Sequence, residues 1–197
     1  MKRVLVTGAR GLLGAEVIRR LLALGHPVIA LLRTDGPISP IDQEALPTVP
    51  FHASRFRSGE VQVVHGDVAE ELLGLGPDLH EAVRASTDLI VHCAAITSFG
   101  LSPEKYEATN TRGTVRMLEL AKGRKKAPIP FVYVSTAYVA GERPGTFREE
   151  DLELGQQHGN PYEQSKFKAE QQVRAAIREG LPAVVARPGI IVGHSET

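Results

Sequence analysis

The sequence has little with which to form a disulfide, span a membrane or attract a polyanion. It holds one cysteine, Cys93, in an apolar run, so no internal disulfide can form. That usage fits a reducing compartment and predicts a cytoplasmic location. No apolar stretch approaches the ~20 residues that cross a bilayer, so no membrane span is expected. The N-terminus "MKRVLVTGAR" reaches a strand and a glycine turn too early for a signal peptide. Lys plus Arg and Asp plus Glu each number 23, a formal charge of +0, which leaves no field to hold nucleic acid or an anionic membrane. The seven histidines are scattered, with no His-x-x-x-His or Cys-x-x-Cys spacing, so no metal site is expected. The short basic cluster from Lys122 to Lys126 reads as the solvated end of a helix, where cations are favoured.

What is present is ordinary for a globular domain. The 197 residues are 42% hydrophobic and 23% charged, enough for one sizeable core and one domain over residues 1–197. Short runs rich in valine, isoleucine and leucine at Val4 to Val6, Val28 to Leu32, Val61 to Val64, Leu89 to His92, Phe131 to Val134 and Ala183 to Ala186 read as buried strands. Helical patterns fall between them at Leu12 to Leu24, Asp78 to Ala85, Pro103 to Lys122 and Tyr162 to Glu179. Such alternation predicts parallel strands joined by crossover helices, an α/β fold of the Rossmann type with a doubly wound parallel sheet. The stretch Thr34 to Glu60 carries four prolines where the second crossover belongs. A short degenerate helix with flanking loops, or a mobile flap, is expected there.

The stretch "VLVTGARGLLGAEVIRRLL" sets Gly8, Gly11 and Gly14 between the first strand and the first helix. In that context the first glycine permits a tight turn, the second lets backbone approach a pyrophosphate, and the third lets helix pack on strand. The helix N-terminus then points at the phosphates. Leu13 shares this turn. NAD sites usually end the second strand with a carboxylate for the ribose 2′-hydroxyl. Here Leu32 occupies that place, Arg33 follows, and Arg10 lies inside the turn. Two guanidiniums suit a 2′-phosphate, so NADP is expected over NAD. Asp35 would reach a 2′-hydroxyl only if the strand ran later than Leu32.

In "NPYEQSKFKAE", Tyr162 and Lys166 stand four apart on a helix that Asn160 can cap and Pro161 can start. A Tyr-x-x-x-Lys pair would arise by chance in roughly one such sequence in seven, so spacing alone does not separate a catalytic pair from two residues on a helix face. The physical reading is that a nearby ammonium favours the phenolate and lowers the tyrosine pKa from about 10.

"TGARGLLG", "HGDV", "HCAAIT", "NTRGT", "VYVSTAYVAG" and "YEQSK" occur in the order and at the distances of the extended short-chain dehydrogenase/reductases, which the chain resembles from about Val4 to Gly193. "AAITSFG", "STAYVAGER", "NPYEQSKFKAE" and "RPGIIVG" are most similar to the thioester reductase and fatty acyl reductase branch, the male-sterility-like NAD(P)-binding proteins. The resemblance implies an NADPH-dependent reductase acting on a small-molecule carbonyl or acyl-thioester substrate, one that a carrier can present, and it allows a homodimer. Sugar-nucleotide epimerases and dehydratases share most of these segments. A non-catalytic NADP-binding regulator would share the fold but tends to lack the Tyr/Lys pair. Carried over position by position, the resemblance makes Tyr162 the catalytic tyrosine, Lys166 its lysine and a ribose ligand, and Thr136, not Ser135, the hydroxyl partner. It sets Asp67 and Val68 near the adenine, Ala94 and Ala95 beneath the cofactor, and Pro188 with Ile190 on the nicotinamide side. Asn110, a poor helix former, is expected to bond backbone locally and support the site. Members of this family continue past the point where this chain ends at "GHSET", so most of the C-terminal substrate-binding portion is expected to be absent.

Overall fold

The structure, a computed structural model, describes residues 1–41, 43–98, 100–124 and 127–192. Phe99 of "AAITSFG", Lys125 and Lys126 of the basic cluster, and the final "GHSET" lie outside the described residues.

Seven strands form one parallel sheet: β1 (Val4–Thr7), β2 (Val28–Leu32), β3 (Thr48–Pro50), β4 (Val61–His65), β5 (Leu89–His92), β6 (Phe131–Val134) and β7 (Ala183–Ala186), in the spatial order β3-β4-β2-β1-β5-β6-β7. Strand order reverses between β1 and β5. There the crossovers turn from one face of the sheet to the other and open a crevice beyond the strand ends. Side chains alternate across the sheet. Val4, Val6, Val28 and Ala30 pack with Ala15 and Ile18 of α1 (Leu12–Ala23). Leu5, Ile29 and Leu31 face the other layer, where Val83 of α2 (Pro77–Ser86), Met117 of α4 (Gly113–Lys122) and Val173 of α5 (Pro161–Arg178) pack. Both faces of β1 and β2 are covered, which is why those strands read as continuous apolar runs, whereas the edge strands β3 and β7 are exposed in part or throughout.

Two expectations need correction. Among its described residues Thr34 to Glu60 forms no helix: it contributes the edge strand β3, paired in parallel with β4 through Thr48, Val49 and Pro50. The segment also has anchors. Ile38 is buried, the Ile41 N–H donates to Glu16 Oε1 at 2.9 Å, and Phe51 packs against the core. Pro50 suits an edge, where a missing N–H costs no ladder bond. Second, Pro103 to Lys122 is not one regular helix. A π segment, Glu107–Arg112, interrupts it between α3 (Pro103–Tyr106) and α4. The inserted residue turns Asn110 away from local backbone toward neighbouring elements, and such π segments often mark functional sites.

Candidate active site

A cleft of about 650 Å³ runs along the carboxyl ends of the strands across the β1/β5 reversal. One end is built by the glycine turn. Gly8 has φ +69° and lies so close to the β5 loop that a Cβ would sit 2.7 Å from the Ala94 nitrogen. A Cβ on Gly14 would sit 2.1 Å from the Gly8 carbonyl oxygen. The turn therefore folds only with bare backbone at these points. Gly11 precedes α1 with no side-chain cap, so the first-turn N–H groups are left for a ligand. The residues fit a dinucleotide: a cradle that any Cβ would fill, an uncapped helix N-terminus and a crevice at the strand reversal. Leu13 and Arg10 also line this end. The Arg10 guanidinium donates to Thr34 Oγ1 at 3.0 Å and to the Asp35 carbonyl at 2.9 Å.

β2 ends at Leu32, as the pattern predicts, and the exposed Arg33 follows on the cleft wall. Asp35 is turned toward His65 at 3.4 Å. Asp67 and Val68 line the same end, and the Asp67 carboxylate accepts the Ala69 N–H at 2.8 Å. Ala94 and Ala95 form the middle of the wall, Ala94 held there by its N–H to Thr7 Oγ1 at 3.2 Å. Pro188 and Ile190 close the far end. The Pro188 carbonyl accepts the Ala137 N–H at 2.9 Å, so the two loops are tied together.

Asn110 is the expected site residue that does not face the cleft; it stands behind it. Its Oδ1 accepts the Ile96 N–H at 2.7 Å, and its Nδ2 donates to the Ile96 carbonyl at 3.1 Å and to Ser165 Oγ at 2.9 Å. The expected bond to backbone is present, but it is to Ile96, 14 residues away, and not local. The π segment points the amide outward to join the β5 loop to α5.

Thr136, Tyr162 and Lys166 converge at the far end. The Thr136 hydroxyl accepts the Tyr138 N–H at 3.3 Å and hydrogen-bonds the Tyr162 phenol. Lys166 is buried; its Nζ donates to the Val134 carbonyl at 2.6 Å and lies 4.3 Å from the centre of the Tyr133 ring. Burial pushes its pKa down to about 7, while Cys93 and Glu170 oppose the fall. Tyr162 does not show the lowered pKa expected of it. Burial raises its phenol above the ordinary value, Glu163 and Tyr138 push the same way, and only the Thr136 hydroxyl opposes them. The reason is physical: the ammonium is engaged with a carbonyl and an aromatic face, and burial disfavours its charge.

Two features escaped the sequence reading. His92 is buried between Thr7 Oγ1 at 2.6 Å and Thr114 Oγ1 at 3.1 Å. Thr7 already accepts from Ala94 and Thr114 donates to the Asn110 carbonyl at 2.6 Å, so the ring accepts at Nδ1 and donates from Nε2. Burial, with Lys166 nearby, lowers its pKa to about 3. No local signal reveals this chain, because its members come from four elements. The second is Glu170, eight residues after Tyr162, which the same helical spacing that pairs Tyr162 with Lys166 could have flagged.

The comparisons with known proteins follow this geometry. A family model described as male sterility protein matches residues 6–197. Nonribosomal peptide synthetase asaC of Aspergillus flavus is 32% identical over 98% of this chain, which covers 20% of that protein. Aldehyde reductase lnaA of the same organism is 30% identical over 99% of this chain, which covers 20% of it. Among solved structures, the terminal R domain from the myxalamid PKS-NRPS biosynthetic pathway superposes with a TM-score of 0.83 at 30% identity, over 99% of this chain and 50% of that one. UDP-glucuronic acid 4-epimerase from Bacillus cereus, in complex with NAD, superposes at 0.69 with 23% identity over 97% of this chain and 57% of that one, which shows a shared fold. The chain thus spans little more than half of these proteins at most. No helix among the described residues is long and apolar enough to cross a membrane, and no cluster of three metal-ligating side chains occurs among them. With the match running from residue 6 to the last residue, on a parallel sheet whose glycine turn fits a dinucleotide, the chain belongs to the male sterility protein family, an NAD(P)-binding branch of the extended short-chain dehydrogenase/reductases.

Proposed function

We propose that this chain is the cofactor-binding part of a cytoplasmic NADPH-dependent reductase that acts on an acyl group held as a thioester, on a carrier or on coenzyme A. The observation that carries the reading is the convergence of Thr136, Tyr162 and Lys166 at one end of a cleft whose other end is the glycine turn. The cofactor, when bound, supplies a hydride to the carbonyl carbon. Tyr162 gives its proton to the carbonyl oxygen, and the Thr136 hydroxyl, which bonds the phenol in the open cleft, turns its proton to that same oxygen when substrate enters. Burial keeps the phenol protonated and makes it a weaker acid at rest, so the proton leaves only when charge develops on the substrate oxygen. Lys166, placed one turn from Tyr162, serves the nicotinamide ribose. In its protonated form it favours the phenolate left after proton transfer. Gly8, Gly11 and Gly14 with the start of α1 hold the pyrophosphate. Arg33 and Arg10 take the 2′-phosphate, a preference for NADP supported by the exposure of Arg33 and the turning of Asp35 toward His65.

The test is Tyr162→Phe in the protein extended to the length of its relatives, with NADPH oxidation followed on an acyl-coenzyme A. Turnover should fall ~10²–10⁴-fold with NADPH affinity nearly unchanged, since the phenol acts only when charge develops on the substrate oxygen. A folded, NADPH-binding phenylalanine variant with near-wild-type rates would refute the assignment. If UDP-sugars turned over instead of acyl thioesters, the epimerase alternative would replace it.

A further inference from the structure

α5 presents Tyr162, Lys166 and Glu170 at successive four-residue steps, and each meets one residue at the end of β6. Tyr162 meets the Thr136 hydroxyl, Lys166 the Val134 carbonyl and Glu170 the Ser135 hydroxyl, which donates to Oε2 at 2.6 Å. The Glu170 side chain is fully buried, with 0% exposure, yet its pKa lies below the ordinary value. Burial pushes it up, but Arg187, Ser135 and Arg174 together hold it down. Arg187 Nη2 donates to Oε1 at 2.6 Å and Arg174 Nε at 3.0 Å. The same two guanidiniums reach the carbonyls of the loop before α5: Arg187 bonds Asp151 at 2.6 Å, and Arg174 bonds Glu149 and Glu150 at 2.7 Å each.

Arg187 directly precedes Pro188, whose carbonyl accepts from Ala137, and Ser135 directly precedes Thr136. Thr136 is therefore held from both sides by groups that end on one carboxylate. The cost of burying that charge is several kcal/mol before its partners offset it, so a buried ion cluster is weak evidence for stability, and its role here follows from the groups it ties together. This also accounts for which hydroxyl faces the cleft: Ser135 is committed inward to Glu170, which leaves Thr136 on the Tyr162 side.

We propose that Glu170 is a positioning residue for the proton-donating pair: by anchoring Ser135 and Arg187 it fixes the end of β6 so that the Thr136 hydroxyl donates to the Tyr162 oxygen. The proposal rests on the reading of Thr136 and Tyr162 given above. Its test needs no turnover. With ¹³Cζ-labelled tyrosine the chain gives four resonances, one for each tyrosine. That of Tyr162 is assigned by its loss in Tyr162→Phe, and its shift at neutral pH reports whether the phenol oxygen accepts a hydrogen bond. Glu170→Gln should move the Tyr162 resonance in the same direction and about as far as Thr136→Val does, and the double variant should add nothing. Ser135→Ala, which removes a single hydroxyl and leaves the ion cluster whole, should move it the same way by less. That variant carries the test if Glu170→Gln fails to fold.

A lowered melting temperature with an unmoved Tyr162 resonance would make Glu170 merely structural and overturn the proposal. A double variant that shifts by the sum of the singles would overturn it too, since Glu170 would then act independently of Thr136. NADPH titration of the wild-type chain is read separately: absence of binding there sinks the reductase reading, whereas the resonance comparison decides the positioning role.

Discussion

Lys166 gives the sharpest test of the site because its pKa is displaced so far. In the unfolded chain its ammonium titrates at the ordinary value of 10.5, and in the fold at about 7. Between those values the unfolded state binds a proton that the folded state does not, so stability rises with pH across that window. The full displacement corresponds to roughly 5 kcal/mol at about 1.36 kcal/mol per pKa unit. From pH 7 to pH 8.5 the same linkage gives a gain of roughly 1–2 kcal/mol. Two other buried groups touch the edges of that interval. His92, neutral in the fold, adds a small gain as the unfolded imidazole finishes losing its proton, and Cys93, whose thiol burial raises to about 11, gives a small loss near pH 8.5. They nearly cancel, leaving Lys166 dominant. Urea unfolding at intervals of half a pH unit, on wild type and Lys166→Met, measures the effect. Wild type should gain roughly 1–2 kcal/mol over the interval while the methionine variant stays nearly flat. The variant should also bind NADPH more weakly, because the ribose loses its ammonium. Equal pH slopes in the two proteins would refute the argument, since the charge would then be solvated and free to act on Tyr162 as the spacing suggested.

His92 has a folded pKa of about 3 against 6.5 unfolded, so its contribution is present above pH 6.5 and is lost as pH falls; wild type should lose about 2 kcal/mol more than His92→Gln between pH 6.5 and 4.5, read by the same unfolding experiment. Gly14→Ala places a methyl 2.1 Å from the Gly8 carbonyl and should cost roughly 1–3 kcal/mol of stability and most of the NADPH affinity, whereas a tight calorimetric isotherm in that variant would mean the turn is not the pyrophosphate site. Arg33→Ala should weaken NADP binding by roughly 1.5–3 kcal/mol and leave NAD nearly unchanged, with equal losses on titration counting against a 2′-phosphate contact.

Local pattern decided a great deal here. Four of the expected strands have the same ends in the structure, Val28–Leu32, Leu89–His92, Phe131–Val134 and Ala183–Ala186, because each is a short apolar run that begins just after a proline or an aspartate; the last was expected to be buried but is an edge strand with Val184 exposed. The glycine turn was legible for a similar reason: Gly8 and Gly14 stand within a few residues of each other, and the crowding at Gly14 is set by the turn's own backbone, although the crowding at Gly8 comes from Cys93 and Ala94 of the β5 loop. β3 was not legible, since three exposed residues that include a proline carry no strand signal until β4 lies beside them.

The state of the site also lay beyond the sequence. A spacing of four sets Tyr162 and Lys166 on one helix face, but what each side chain meets depends on β6. The Val134 carbonyl and the Tyr133 ring receive the lysine, and Thr136 receives the tyrosine. Their pKa values follow from burial and from those partners, and both are properties of packing between elements rather than of position along the chain. The same holds for Asn110, Glu170 and His92. Their residue types are written in the sequence, but apart from Arg174, one turn from Glu170, their side-chain partners lie 14 to 85 residues away, and only the closing of the sheet and its helices brings them within a hydrogen bond's length.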